Sequence, residues 1–116
     1  VRRAAPDVVL VTLGTNDAPG AQVAEATAAL MDQIREAAPN ALVIWWGPPT
    51  LLRADIVDRP SAIADLQRPE VRSRGGRYVD SRRYTREDHA PDGVHFTRVG
   101  YEHWGRRALG ATFWTA

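Results

Sequence analysis

Two six-residue runs in the chain lack the polar-apolar alternation of a half-exposed strand: Val8-Val9-Leu10-Val11-Thr12-Leu13 and Ala41-Leu42-Val43-Ile44-Trp45-Trp46. Runs of this kind fit strands covered on both faces, as in the middle of a parallel sheet. Between them, apolar positions recur at Val23, Thr27, Leu30, Ile34 and Ala37 or Ala38, while Gln22, Glu25, Asp32, Gln33 and Glu36 fall elsewhere. That spacing predicts an amphipathic helix over 21–38, stopped by Pro39-Asn40. Strand, helix and strand in this order predict a right-handed parallel crossover.

Beyond Gly47-Pro48-Pro49 the pattern weakens. Ser61 precedes Ala62-Ile63-Ala64-Asp65-Leu66 and is expected to cap a short helix. Pro69 and Gly75-Gly76 punctuate the stretch after it, and Arg77-Tyr78-Val79-Asp80 reads as a third strand. Thr97 is expected to cap a last helix with Tyr101, Trp104, Ala108 and Leu109 on its buried face. Gly100, Gly105 and Gly110 each weaken such a helix by roughly 1 kcal/mol relative to alanine if interior. With the strands in chain order, the run from Val8 to Leu13 becomes an edge, although its residues suit a strand with two neighbours. Apolar edges invite aggregation, so the pattern calls for a further strand that the chain lacks.

Composition narrows the picture only slightly. A chain of 116 residues has room for one domain and one core, and 44% apolar with 25% charged residues is ordinary for a globular protein. A net charge of +1 selects no class of partner, and all 15 basic residues are arginine. The lack of cysteine excludes disulfides and thiolate metal sites but leaves the compartment open. No apolar run reaches the roughly 18 residues of a membrane span, and no signal-peptide pattern opens the chain. The first residue is Val1 and the only methionine is Met31, so the chain reads as processed or partial.

Two segments carry candidate chemistry. Gly14-Thr15-Asn16-Asp17 directly follows the first strand, where ligands approach an open α/β sheet. Its glycine permits a tight turn beside a substrate, and an asparagine amide can donate to a developing oxyanion. Asp92-Gly93-Val94-His95 lies just before the last helix. An aspartate three residues before a histidine can hold one ring N–H while the other nitrogen takes a proton. Each segment alone reads as a turn before it reads as catalytic.

The two segments in this order resemble the C-terminal part of an SGNH/GDSL hydrolase. That family is named for a serine in a G-D-S segment, a glycine, an asparagine in G-x-N-D and a histidine in D-x-x-H. P-D-V-V-L-V-T-L-G-T-N-D matches the third block up to Asp17, and D-G-V-H-F-T matches the last over Asp92 to Thr97. The resemblance implies a flavodoxin-like three-layer α/β/α fold with a parallel sheet, present here as one partial domain over 1–116 whose N-terminal strands are missing. It implies an ester hydrolase working through a Ser-His-Asp triad, with Asp92 and His95 as triad members. Asn16 is then the oxyanion donor, and Gly14 and Asn16 form the loop beside the substrate. The substrate class is a small-molecule or carbohydrate ester, with no cofactor, no metal and no nucleic-acid partner. The serine and glycine blocks would lie before Val1, so a missing N-terminal segment would complete the site and the fragment alone is expected to be inactive. The compartment stays unknown, although the resemblance points to a secreted or periplasmic parent. Residues 50–88 carry no family motif.

Within the chain, Ser81 is the serine to weigh as a substitute nucleophile, because it follows the third strand. It lacks the turn into a helix expected of a nucleophile elbow and reads as a loop serine. Trp45 and Trp46 default to the core, with Trp46 close enough to the strand end to border a cleft. Two rival readings remain. His89, Asp92 and His95 have an i, i+3, i+6 spacing that would suit a metal if the segment were helical, which Pro91 and Gly93 oppose. From Arg53 to Arg86, nine arginines face five acidic residues with Tyr78 and Tyr84 interleaved, the composition of a polyanion or nucleic-acid binding module without catalysis.

Overall fold

A computed structural model describes residues 6–14, 17–84 and 89–113. Three parallel strands, β1 (Val8–Val11), β2 (Leu42–Trp46) and β3 (Arg77–Val79), lie in chain order in one sheet. Helix α1 (Ala21–Ala37) joins β1 to β2, α2 (Arg59–Ser73) joins β2 to β3, and a 3-10 turn (Ser81–Tyr84) comes before α3 (Arg98–Phe113). The first two apolar runs thus form strands, the first ending two residues earlier than the sequence pattern suggests.

Side-chain alternation along the strands divides the core in two. Val11, Val43, Trp45 and Tyr78 pack on one face with Met31 and Ile34 of α1 and Ala64 and Val71 of α2. Ile44, Trp46 and Val79 pack on the other face with Trp104, Ala108 and Ala111 of α3. The result is a three-layer α/β/α arrangement. Complete burial of side chains such as Trp45, Met31 and Ile63 supplies the main driving force, about 1.5–3 kcal/mol for each large aliphatic residue.

The helix α2 differs from its expected form. It begins at Arg59, two residues before Ser61, and runs through Pro69 to Ser73. Pro60 fits the first turn, where its missing N–H leaves no intrahelical partner unmet. Ser61 is exposed inside that turn and is not the cap. In α3, Thr97 does cap the helix, its Oγ1 accepting the Gly100 N–H at 3.1 Å. The buried face is Ala108, Ala111 and Thr112 with Trp104 partly covered, whereas Tyr101 and Leu109 are exposed. Small residues let α3 lie close to the sheet, and Trp104 is the bulky side chain it turns inward, against Trp46.

Two arginines tie the layers together. Arg35 on α1 donates to the carbonyls of Ala41 at 2.6 Å, Gly75 at 2.9 Å and Arg74 at 3.1 Å, which joins the turns entering β2 and leaving α2. Arg77 donates to the carbonyls of Thr112 and Ala111 at 2.8 and 3.2 Å, near the C-terminal end of α3, where cations are favoured.

Strand β1 is the edge that the pattern anticipates. Val8, Leu10 and Leu42 share the sheet face of α3, yet α3 reaches only β2 and β3, leaving them 44%, 45% and 46% exposed.

Candidate active site

The turn at Pro91–His95 is organised by Asp92. Its Oδ1 accepts the backbone N–H groups of Val94 and His95, both at 2.9 Å, and its Oδ2 lies 2.6 Å from His95 Nδ1. One carboxylate therefore shapes the backbone and holds the ring. His95 remains 70% and Asp92 47% exposed at the side chain. The His95 hydrogen bond, followed by those of the two backbone N–H groups, lowers the Asp92 pKa to about 2. With Nδ1 engaged, Nε2 is the ring nitrogen left to take a proton.

This turn hangs on the segment that leaves β2. The Gly93 carbonyl accepts the N–H of Leu52 at 2.7 Å and of Arg53 at 3.3 Å, and His89 Nε2 lies 2.6 Å from the Thr50 carbonyl. Ala90 N–H donates to the His95 carbonyl at 2.7 Å, and His89 bridges Phe96 in antiparallel fashion with ring centroids 4.5 Å apart. Residues 50–53 lie beyond the C-terminal end of β2, so the Asp92-His95 pair belongs to that edge of the sheet.

From the same edge, Leu13 and Gly14 leave β1. The Leu13 carbonyl accepts Gln67 Nε2 at 3.0 Å, and Gly14 adopts φ +120°, a region suited to glycine. Asp17 N–H returns to the Gly14 carbonyl at 3.1 Å. Asn16 lies outside the described residues. Between the ends of β1 and β2 is a crevice of about 50 Å³ bordered by Thr12, Leu13, Trp46, Gly47 and Trp104. The Phe96 ring, at the base of the histidine turn, is 6.1 Å from Trp104. Trp46 both packs in the core, its Nε1 donating to Thr112 Oγ1 at 2.9 Å, and borders this crevice.

The family profile described as GDSL-like lipase/acylhydrolase matches residues 1–103. The chain belongs to the GDSL-like lipase/acylhydrolase family. Among solved structures, it is similar to a peptidoglycan O-acetylesterase, with a TM-score of 0.82 and 20% identity over 96% of this chain and 38% of that one. It is also similar to a lipase/acylhydrolase from Enterococcus faecalis, with a TM-score of 0.68 and 24% identity over 96% of this chain and 64% of that one. The GDSL-like chain thus spans between 38% and 64% of the length of these two structures. A comparison with curated protein sequences finds no significant match.

The remaining candidates in this GDSL-like chain have structural partners. Ser81 is fully buried and its hydroxyl donates to the Gly47 carbonyl, so it is committed to the backbone. His89 sits in a bridge rather than a helix, which removes the helical spacing that a metal reading needs. Among the described residues, no three His, Cys, Asp or Glu side chains gather to hold a metal ion. In the arginine-rich stretch, Arg53 pairs with Asp55, Arg68 and Arg82 with Asp80, and Arg74 with Asp32 and Glu70. Much of its charge is therefore answered within the fold, while Arg86 lies outside the described residues.

Sequence reasoning missed Gln67 and Tyr78. Tyr78 donates its hydroxyl hydrogen to Gln67 Oε1 at 2.8 Å, and Gln67 in turn reaches the base of the glycine-asparagine loop. Burial raises the Tyr78 pKa, so the phenol stays a neutral donor. The only signal in the sequence is a glutamine on what proves to be the buried face of α2.

Proposed function

We propose that the protein of which this chain is part is a serine ester hydrolase in which His95 is the general base and Asp92 orients it. The observation that carries the reading is the 2.6 Å contact of Asp92 Oδ2 with His95 Nδ1, at the C-terminal edge of the sheet in a GDSL-like chain. Asn16, two residues beyond Gly14, is the proposed oxyanion donor, and residues 1–116 form one partial domain.

In this scheme a serine hydroxyl attacks the ester carbonyl while His95 Nε2 takes its proton. Asn16 donates to the oxyanion of the tetrahedral intermediate, which collapses to an acyl-serine as the proton passes from His95 to the leaving alcohol. Water, deprotonated by His95, then releases the carboxylic acid and restores the serine. The chain has three serines. Ser81 is buried, Ser73 ends α2 at the opposite edge of the sheet, and Ser61 lies exposed in the first turn of α2. The nucleophile is accordingly assigned to a segment outside residues 1–116, which would pair along β1 and cover Val8, Leu10 and Leu42.

The substrate class that fits is a small-molecule or carbohydrate ester, in keeping with the likeness to a peptidoglycan O-acetylesterase. The test is hydrolysis of a chromogenic acetyl ester by the full-length protein and its His95→Ala variant. A loss of about four orders of magnitude in kcat is expected. An unchanged rate in the variant would remove the reading, as would robust hydrolysis by residues 1–116 alone.

A further inference from the structure

Just past the last residue of β3, Asp80 draws in two arginines. Arg82 donates from Nε to Asp80 Oδ1 at 2.9 Å and from Nη2 to Oδ2 at 2.6 Å, a two-pronged contact that fixes the plane of its guanidinium. Arg68 of α2 lies 3.5 Å from both Asp80 and Asp65. The Arg82 hydrogen bond is the largest of the effects that lower the Asp80 pKa, so the carboxylate stays charged. Arg68 and Arg82 are thus matched by Asp65 and Asp80, one charge for one. Arg83 is different: it is exposed, and its side chain forms no ion pair among the described residues.

Asp80, Arg82 and Arg83 line a hollow of about 380 Å³ together with Thr50, Val57 and Pro60. That volume lies within the range of small-molecule sites. The contact with Asp80 uses two of the five N–H groups of Arg82, so three remain to be offered from a guanidinium already held in place. Arg83 adds the positive charge that the neighbouring aspartates leave over. Val57 and Pro60 supply an apolar wall beside these donors. A single carboxylate on an apolar or ring-shaped body would balance that charge, whereas a neutral ligand would leave it unmatched and a dianion would exceed it.

Position ties the hollow to the candidate active site. Asp80 directly follows β3 and Thr50 lies beyond β2, so the hollow is at the C-terminal edge of the sheet, where open α/β sheets take their ligands. The Thr50 carbonyl is 2.6 Å from His89 Nε2, and Leu52 and Arg53 donate to the Gly93 carbonyl. One short segment therefore borders the hollow and carries the turn of Asp92 and His95.

We infer that this hollow is a subsite for a carboxylate carried by the ester substrate, with Arg83 and the uncommitted N–H groups of Arg82 as its donors. The reaction it serves rests on the proposed hydrolase reading, whereas the affinity for a carboxylate rests on the two arginines alone.

The experiment has a binding arm and a kinetic arm, both in the full-length protein. In an NMR titration, benzoate should shift the Nε–H signals of Arg82 and Arg83 saturably, and benzamide should leave them in place. The kinetic arm compares kcat/KM for two pairs of esters, 4-acetoxybenzoate with 4-acetoxybenzamide, and monophenyl adipate with its primary amide. The first pair carries the charge on the alcohol portion and the second on the acyl portion. Arg83→Gln should lower the charged-to-neutral ratio about tenfold in one pair, through KM, which also tells which portion the hollow receives. Arg72→Gln, which removes an equal charge from the far end of α2, should move either ratio less than about twofold. Absence of benzoate binding overturns the inference, as do ratios that Arg83→Gln leaves unmoved or that Arg72→Gln lowers equally. If none of the four esters is hydrolysed, the hydrolase reading falls and takes the substrate role with it, and the benzoate titration still decides the anion site.

Discussion

Asp92 grips His95 at two points, with one carboxylate oxygen on the backbone N–H at 2.9 Å and the other 2.6 Å from ring Nδ1. The Asp92 pKa is lowered from 3.8 to about 2, so the charged carboxylate is favoured by folding. The stabilising contribution of such a group is complete above the unfolded value and is lost as pH falls through the folded one. An NMR titration should therefore place the Asp92 carboxyl midpoint near 2 rather than 3.8, and His95→Ala should move it back upward.

Replacing Asp92 with asparagine separates its two tasks. The amide oxygen can still accept from Val94 and His95, so the turn should persist. The NH2, however, would face Nδ1 and force the imidazole into the tautomer with its proton on Nε2, where it cannot act as a base. We expect kcat of the full-length protein to fall by about 10⁴ with an unchanged circular dichroism spectrum. A fall of less than tenfold would show that Asp92 serves the turn alone.

Ser81→Ala should behave in the opposite way. Removing a fully buried hydroxyl deprives the Gly47 carbonyl of a donor, at a cost of about 1–3 kcal/mol in denaturant unfolding. The folded variant of the full-length protein should retain its kcat. Abolished activity would make Ser81 the nucleophile and overturn its assignment to a segment outside the chain.

The bare face of β1 gives a comparison between two lengths of protein. Leu10 is 45% exposed here, so Leu10→Lys should change the stability of residues 1–116 by less than about 1 kcal/mol and should reduce their self-association in sedimentation. In the full-length protein, a segment lying over Leu10 would bury the same lysine, and the variant should lose at least about 2 kcal/mol. Equal effects in both lengths would mean that nothing covers this face.

What could be read from the sequence was what depends on neighbours along the chain. The unalternated runs beginning at Val8 and Ala41 became parallel strands, and Asp92 with His95 formed a local pair because a turn through Gly93 and Val94 brings them together. Helix α2 was harder, since its buried positions Pro60, Ile63, Ala64, Gln67 and Val71 include a proline and a glutamine that blur the apolar period. Pro69 reads as a stop, yet the helix continues past it to Ser73; its exposed position lets water reach the carbonyl that its missing N–H leaves without a partner. The exposure of Tyr101 and Leu109 could not be read because it depends on how close α3 approaches the sheet. The Gln67–Tyr78 bracket needs β1, α2 and β3 to meet, and no local pattern announces it.

Arg35 offers three donors to three carbonyls, at the entry to β2 and at the exit of α2. Segments far apart in the chain are thereby made to loosen as one unit, because freeing any one of them means withdrawing the same guanidinium from the others. Amide hydrogen exchange around Ala41 and around Gly75 should share a single opening free energy, and Arg35→Met should give the two turns separate ones.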